Sequence, residues 1–210
     1  MDITALDIFS SSDLTGKLSE IESFIEGKTV KECSAHFQEH NVHGDTLSAA
    51  RNIKKLAAQI DVKIHALGIL LCLPELLEPD EIIESVSLGA GNTGKKFDLK
   101  TNLRVAEFKF INWQGGPESI RQNSLFKDFY GLAEDTSERS KYLYVLGTKF
   151  PLKFFNSRRS LESVLSKDVS LHKEFRGKYP DLKVVSEYFL PKIDLVEIKD
   201  VSSWLKWSEQ

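Results

Sequence analysis

Cysteine is nearly absent from this sequence: Cys33 and Cys72 are the only two in 210 residues, and Cys72 lies in a strongly apolar run. That excludes a disulfide-stapled scaffold, and with nothing resembling a secretory leader the expected compartment is a reducing cytoplasm. A long hydrophobic run is missing too. The most apolar stretch, residues 64–77, is broken by His65, Gly68, Pro74 and Glu75 and falls short of the roughly 20 residues that span a bilayer. It reads as core, and no membrane is expected. Internal repeats and low-complexity tracts are also lacking. A composition of 41% hydrophobic and 28% charged residues excludes disordered and fibrous chains, and 210 residues suit one domain, or one domain with an appendage.

Net charge is small as well, −3, but it is a sum of unequal parts. Residues 1–90 carry 7 Lys/Arg against 15 Asp/Glu, residues 91–140 carry 8 against 7, residues 141–178 carry 9 against 3, and residues 179–210 carry 4 against 6. A strongly basic segment in a near-neutral chain suits an anionic partner on one side.

Helical patterns over 14–25 and 30–40 form an N-terminal extension, residues 1–45, ahead of a single main domain, residues 46–210. Asp45 is the expected N-cap of a helix that carries Leu47, Ala50, Ile53, Leu56, Ala57, Ile60, Ile64 and Leu67 at helical spacing and ends before Pro74. A short helical turn is expected over 80–84. The period then changes from 3.6 to 2, and runs 86–90, 96–100 and 103–111, separated by turn chemistry at Asn92-Thr93-Gly94 and Thr101-Asn102, predict a three-stranded antiparallel meander. After a Gly115-Gly116-Pro117 break, Ile120, Leu125, Phe126, Phe129 and Leu132 predict an amphipathic helix. A buried strand over 142–147, basic helices over 157–178, a strand over 182–190 and a helix over 201–207 complete the expected order.

Several motifs fail on physical grounds. Residues 89–96, Gly-Ala-Gly-Asn-Thr-Gly-Lys-Lys, approach a phosphate-binding loop, but Lys96 cannot supply the hydroxyl that such a loop offers to Mg²⁺, and the segment continues as strand rather than helix. It reads as a hairpin whose amides and Lys95 can approach a phosphate. Cys33, His36, His40 and His43 have zinc-like spacing, yet no second cluster is near, so a solvated helix face is the simpler reading. No His-Glu-x-x-His pattern and no Gly-x-Ser-x-Gly elbow is present.

In the third strand Leu103, Val105, Glu107, Lys109 and Ile111 share one side, while Arg104, Ala106, Phe108 and Phe110 share the other. If the hairpin turns at Thr101-Asn102, Asp98 faces Val105 and lies one diagonal step from Glu107. Two carboxylates so placed repel each other unless a cation intervenes. A hard divalent ion resolves this, since Mg²⁺ takes one or two carboxylates and fills its shell with water and phosphate oxygens. Lys109, next on that face, is placed to orient or deprotonate a nucleophilic water and to screen phosphate charge. Against this stands the ordinary solvated strand, on which Glu-x-Lys is common and Lys96 opposite Glu107 makes a simple ion pair.

Asp98 followed by Glu107-Phe108-Lys109, in a helix, three strands, helix, strand order over about residues 46–147, resembles the PD-(D/E)XK phosphodiesterase superfamily, the fold of restriction endonucleases and many repair nucleases. Phe97 stands where the signature has proline, and Gln122 is followed by Phe126 where some branches carry tyrosine. The resemblance implies a restriction-endonuclease-like αβββαβ core, of α/β class, with a mixed central sheet flanked by helices. It implies a Mg²⁺ site, open to Mn²⁺, on Asp98, Glu107 and the Phe108 carbonyl, with Glu84 or secondarily Glu81 adding an acid, and Lys109 as the catalytic lysine. The expected activity is metal-dependent hydrolysis of DNA, with RNA not excluded, in bacterial defence or DNA processing. Lys95, Lys96, Arg121, Gln122, Arg158 and Arg159 are the expected nucleic-acid contacts, and cutting both strands would imply a homodimer. The alternatives are a catalytically silent nucleic-acid-binding or assembly module with the same fold, and a protein-interaction scaffold. The phenylalanines Phe150, Phe154 and Phe155, interleaved with cations, read first as core and second as stacking platforms.

Overall fold

Glycine and a capping pair punctuate the first part of the chain. Helix α1 (Leu14–Ile25) stops ahead of Gly27, whose φ of +73° only glycine adopts without strain. Thr29 and Glu32 then bond reciprocally, the Glu32 carboxylate accepting from Thr29 N–H at 2.9 Å, to start α2 (Val30–Glu39). Both helices match the sequence reading. Helix α3 (Gly44–Ala57) starts one residue before the expected cap, and the single long helix expected beyond it is two, with α4 (Ile60–Leu76) beginning after a break at 58–59. The structure describes residues 14–39, 44–89, 94–111, 113 and 119–206. Two units are defined by their contacts, Met1–Asp61 and Val62–Gln210, where the sequence reading draws its line at residue 45.

Helix α4 does not end before Pro74. The proline lies in its last turn, and the Leu77 N–H still reaches the Leu73 carbonyl at 3.1 Å. An interior proline costs about 3 kcal/mol, but Ile69, Cys72 and Leu76 are buried against the sheet, and each such side chain returns roughly 1.5–3 kcal/mol.

The sheet has five strands in the order β1-β2-β3-β4-β5: β1 (Ile83–Val86), β2 (Leu99–Thr101), β3 (Arg104–Lys109), β4 (Ser140–Val145) and β5 (Glu197–Asp200). The first three pair antiparallel and the last three parallel. The molecule is thus mixed α/β, with helices on both faces of a mixed sheet. The meander is present, but its first strand lies earlier than 86–90. The helical turn expected over 80–84 is absent, because the Glu81 carboxylate is drawn to Arg104 (Nε and Nη2, each 2.6 Å) and to the Thr101 hydroxyl at 2.5 Å. The β2–β3 register is Leu99↔Ala106 and Lys100↔Val105, two residues from the one expected, with Asn102 and Leu103 at the turn.

Helix α5 (Ser119–Ala133) crosses from β3 to β4 as expected. It buries Leu125, Phe126, Phe129 and Leu132 with Val105, Leu143 and Val145 on one face of the sheet. On the other face Phe108, Phe110, Leu99, Ala106 and Tyr144 pack with α4, so the two faces read from the alternation of β3 are those observed. Between β4 and β5 lie α6 (Lys149–Phe155), α7 (Leu161–Leu165), α8 (Val169–Lys178) and α9 (Val185–Phe189).

Two C-terminal expectations are corrected. Residues 182–190 are β-branched and aromatic, yet Val185, Tyr188 and Phe189 are buried at i, i+3, i+4, and the Glu187 carboxylate accepts from the N–H groups of Lys183 (2.6 Å) and Val184 (3.1 Å). Those bonds cap a helix start, so the segment is α9, and the final strand is 197–200. Residues 202–206 form turns rather than a helix, and Lys206 has a left-handed φ of 49°. Among the described residues no single helix is long and apolar enough to cross a membrane.

Just past α5, Glu134 accepts from Tyr179 Oη (2.7 Å), Tyr188 Oη (2.9 Å) and Lys192 Nζ (3.1 Å). Burial alone would raise its carboxyl, but Tyr179, Lys192 and Tyr188 outweigh burial and hold it down at about 2. A carboxyl held below its ordinary value stabilises the fold fully above about 4.5 and loses that contribution as pH falls toward 2. Glu134→Gln is expected to cost about 1–3 kcal/mol at neutral pH and to flatten the acid limb of stability between those values, read by urea denaturation as a function of pH.

Candidate active site

The ladder between β2 and β3 stops at Leu99↔Ala106, and there Asp98 takes over with its side chain: Oδ2 accepts from the Phe108 N–H at 3.0 Å. Continuing the register places Asp98 directly opposite Glu107 rather than diagonal to it. A two-residue shift preserves which face each residue shares, so the expected convergence is present, and the carboxyls of Asp98 and Glu107 are hydrogen-bonded to each other.

Such a bond needs one proton, and the surroundings decide where it sits. Burial, then the charges of Asp128 and Asp98, push the Glu107 carboxyl up to about 10. Burial also disfavours the Asp98 carboxylate, but the bonds from His65, Glu107 and the Phe108 N–H outweigh it and lower its pKa. Glu107 therefore holds the proton at neutral pH and Asp98 the charge. The other Asp98 oxygen, Oδ1, stands 3.3 Å from His65 Nε2 on α4.

Lys109 occupies the next position on the Glu107 face, and its Nζ lies 2.5 Å from Asp128 Oδ2 on α5. Burial disfavours the ammonium, but Asp128, Glu107 and Asp98 more than compensate and raise its pKa. Lys109 is thus a fixed cation among three carboxyl groups.

Glu84 is not brought to this cluster. It lies at an irregularity of the β1–β2 register and pairs with Lys100 (2.9 Å) and Arg139 (2.7 Å). Glu81, the second choice, is wholly buried on Arg104. Lys95 Nζ donates to the Val86 carbonyl, and Lys96 pairs with Asp135 at 2.9 Å, while residues 90–93 of that loop lie outside the described residues. Arg158 and Arg159 are exposed, the latter donating to Ser163 Oγ at 3.0 Å. Arg121 lines a pocket with Lys109, Trp113 and Val145, and Gln122 lines a second, adjoining groove. In the rest of the basic segment Arg176 pairs with Glu162 (2.5 Å), and Lys178 with Glu174 (3.1 Å) and Glu134 (3.3 Å). For the other metal spacing, the His36 ring stacks on Phe24 at 3.9 Å, and His40 and His43 lie outside the described residues.

Asp128 and His65 were not among the expected residues, though each had a signal. Asp128 lies at i+3 from Leu125 and i−4 from Leu132, a charge on the apolar stripe of its helix, and His65 heads the stripe Ile69, Cys72, Leu76 at heptad spacing. A charge or imidazole on a buried stripe requires a partner across the interface.

Among the described residues no group of three His, Cys, Asp or Glu side chains is arranged to hold a metal ion. The two touching carboxyls nevertheless suit a hard cation that takes one or two protein carboxylates, because it would replace the proton that now relieves their repulsion. The Phe108 carbonyl leaves its strand on the same edge as the N–H that reaches Asp98. No family model, curated protein or solved structure matches the chain.

Two substitutions probe the framework. A Cβ at Gly68 would stand 2.5 Å from the Phe110 ring, so Gly68→Ala is expected to cost about 1–3 kcal/mol through overpacking, measured by urea denaturation. Asp128→Ala leaves the Lys109 ammonium buried and unpaired and is expected to cost about 3–5 kcal/mol. The double variant Lys109→Ala/Asp128→Ala should recover part of that loss in the same measurement.

Proposed function

We propose that the chain is a metal-dependent phosphodiesterase of the PD-(D/E)XK superfamily, with a restriction-endonuclease-like core, that hydrolyses DNA. The observation that carries this reading is the placing of Asp98 opposite Glu107, with Lys109 next on the same face, at the point where β2 leaves β3. A buried pair of acids costs stability, and a site that binds a divalent ion gives that cost a use. Asp98 and Glu107, with the Phe108 carbonyl, would hold Mg²⁺ or Mn²⁺. When bound, such an ion supplies an activated water and charge neutralisation at the phosphate.

The protein's own groups divide the remaining work. Asp98 is fixed from two sides, by the Phe108 N–H and by His65, so its carboxylate is preorganised. Glu107 must release its proton when a cation arrives, so ion binding and deprotonation are linked. Asp128 keeps Lys109 protonated, which makes Lys109 a donor to phosphate charge rather than the base that takes a proton from water.

A second reading, a silent nucleic-acid-binding module, draws on the same Lys109–Asp128 pair, since that ammonium already has a partner. Calorimetric titration with Mn²⁺ separates the two. The phosphodiesterase is expected to bind Mn²⁺ and to cut plasmid DNA in its presence, and Glu107→Gln, which mimics the protonated side chain, should fold normally while losing at least a hundredfold in cleavage. Undiminished cleavage by Glu107→Gln, or no Mn²⁺ binding by the parent chain, would overturn the assignment.

A further inference from the structure

Beside the pocket that Lys109 lines is a groove of about 280 Å³, lined by Trp113, Gln122, Phe150, Lys153, Phe154 and Arg159. Trp113 also lines the pocket that contains Lys109, so the groove and that pocket share a wall. The two aromatic partners of Trp113 are Phe150, with ring centroids 6.4 Å apart at 31°, and Phe154, at 6.1 Å and 50°. Lys149 Nζ stands 5.4 Å from the Phe150 centroid. Within this apolar lining two polar atoms are buried without a partner: the donor Trp113 Nε1 and the acceptor Gln122 Oε1. A buried donor or acceptor with no partner is destabilising, and here one of each belongs to a residue that lines the same small groove.

From this arrangement we infer that the groove receives an unpaired nucleobase of the strand lying across the carboxylate cluster, a reading that rests on the proposed phosphodiesterase activity and deepens it. A nucleobase offers what the groove lacks: a flat π-face for the aromatic rings, and an edge on which a carbonyl and an N–H stand side by side. The base carbonyl accepts from the Trp113 indole, and the base N–H donates to Gln122. Lys153 and Arg159 supply positive charge for the adjoining phosphates. A base in an intact duplex is stacked and paired, so the site selects single-stranded or extrahelical nucleotides.

The test uses the full chain without added metal and an end-labelled oligothymidylate of about 12 nucleotides, since thymine carries the required carbonyl and N–H. Binding is read by fluorescence anisotropy against a blunt duplex of equal length. The single strand is expected to bind at least tenfold tighter. Gln122→Leu and Phe150→Ala should each weaken the single strand five- to tenfold and the duplex less than twofold. Gln122→Leu keeps the side-chain volume and guards against a folding artefact. Equal binding of the two forms, or variants that leave single-strand affinity unchanged, would overturn the groove assignment. Addition of Mn²⁺ then separates the two proposals. A chain that binds the single strand through the groove without cutting it retains the groove and loses the phosphodiesterase. Cutting without preference for unpaired bases does the reverse.

Discussion

The turn between β2 and β3 is held by one carboxylate. Glu81 accepts from Arg104 through two nitrogens and from the Thr101 hydroxyl, and it has no exposed side-chain surface. That knot fixes where the hairpin reverses, and so fixes the pairing Leu99↔Ala106 on which the placement of Asp98 opposite Glu107 depends. A slip of one residue would turn Glu107 and Lys109 into the α4 face, among Phe108 and Tyr144. Burial disfavours the Glu81 carboxylate, but the bonds from Arg104 and Thr101 hold its pKa below the usual range. Its partners therefore favour the charged form that sets the register.

From that register the candidate site assembles in layers. β3 presents Glu107 and Lys109 on one face, the end of the ladder frees Asp98, and α5 adds Asp128. From the other side α4 brings His65, which it can do because Gly68 lets the helix lie close against Phe110. Three carboxyl groups, one ammonium and one imidazole thus come from four separate elements. The protonation of Glu107 is the local solution to crowding like charges where water is scarce.

Side-chain alternation made the faces of β3 legible from sequence, and because the period is two, an error of two residues in the hairpin left Asp98 on the correct side. Helix α5 was legible from Leu125, Phe126, Phe129 and Leu132. The α4 boundary was not, because the local penalty of Pro74 is outweighed by burial that only the folded sheet supplies. The segment 182–190 was misread for a related reason: its composition favours a strand, while the capping carboxylate of Glu187 and the burial of Tyr188 and Phe189 select a helix. Charge totals misled differently. The positive excess over 141–178 is spread along the segment: Arg176 and Lys178 pair with acids, and Lys153 and Arg159 are the two that line the groove.

β3 is the strand at which pairing changes direction, antiparallel to β2 and parallel to β4. Asp98 comes from the antiparallel side, Asp128, Trp113 and Gln122 lie on the connection between β3 and β4, and Phe150, Phe154 and Arg159 lie on the one that follows β4. Helix α5 therefore carries both a member of the cluster, Asp128, and a wall of the groove, Gln122. The helices after β4 can be remodelled while the carboxyl pair stays in register, whereas a change in α5 touches cluster and groove together. A connection free to change beside a hairpin held in register leaves one scaffold room for different surfaces.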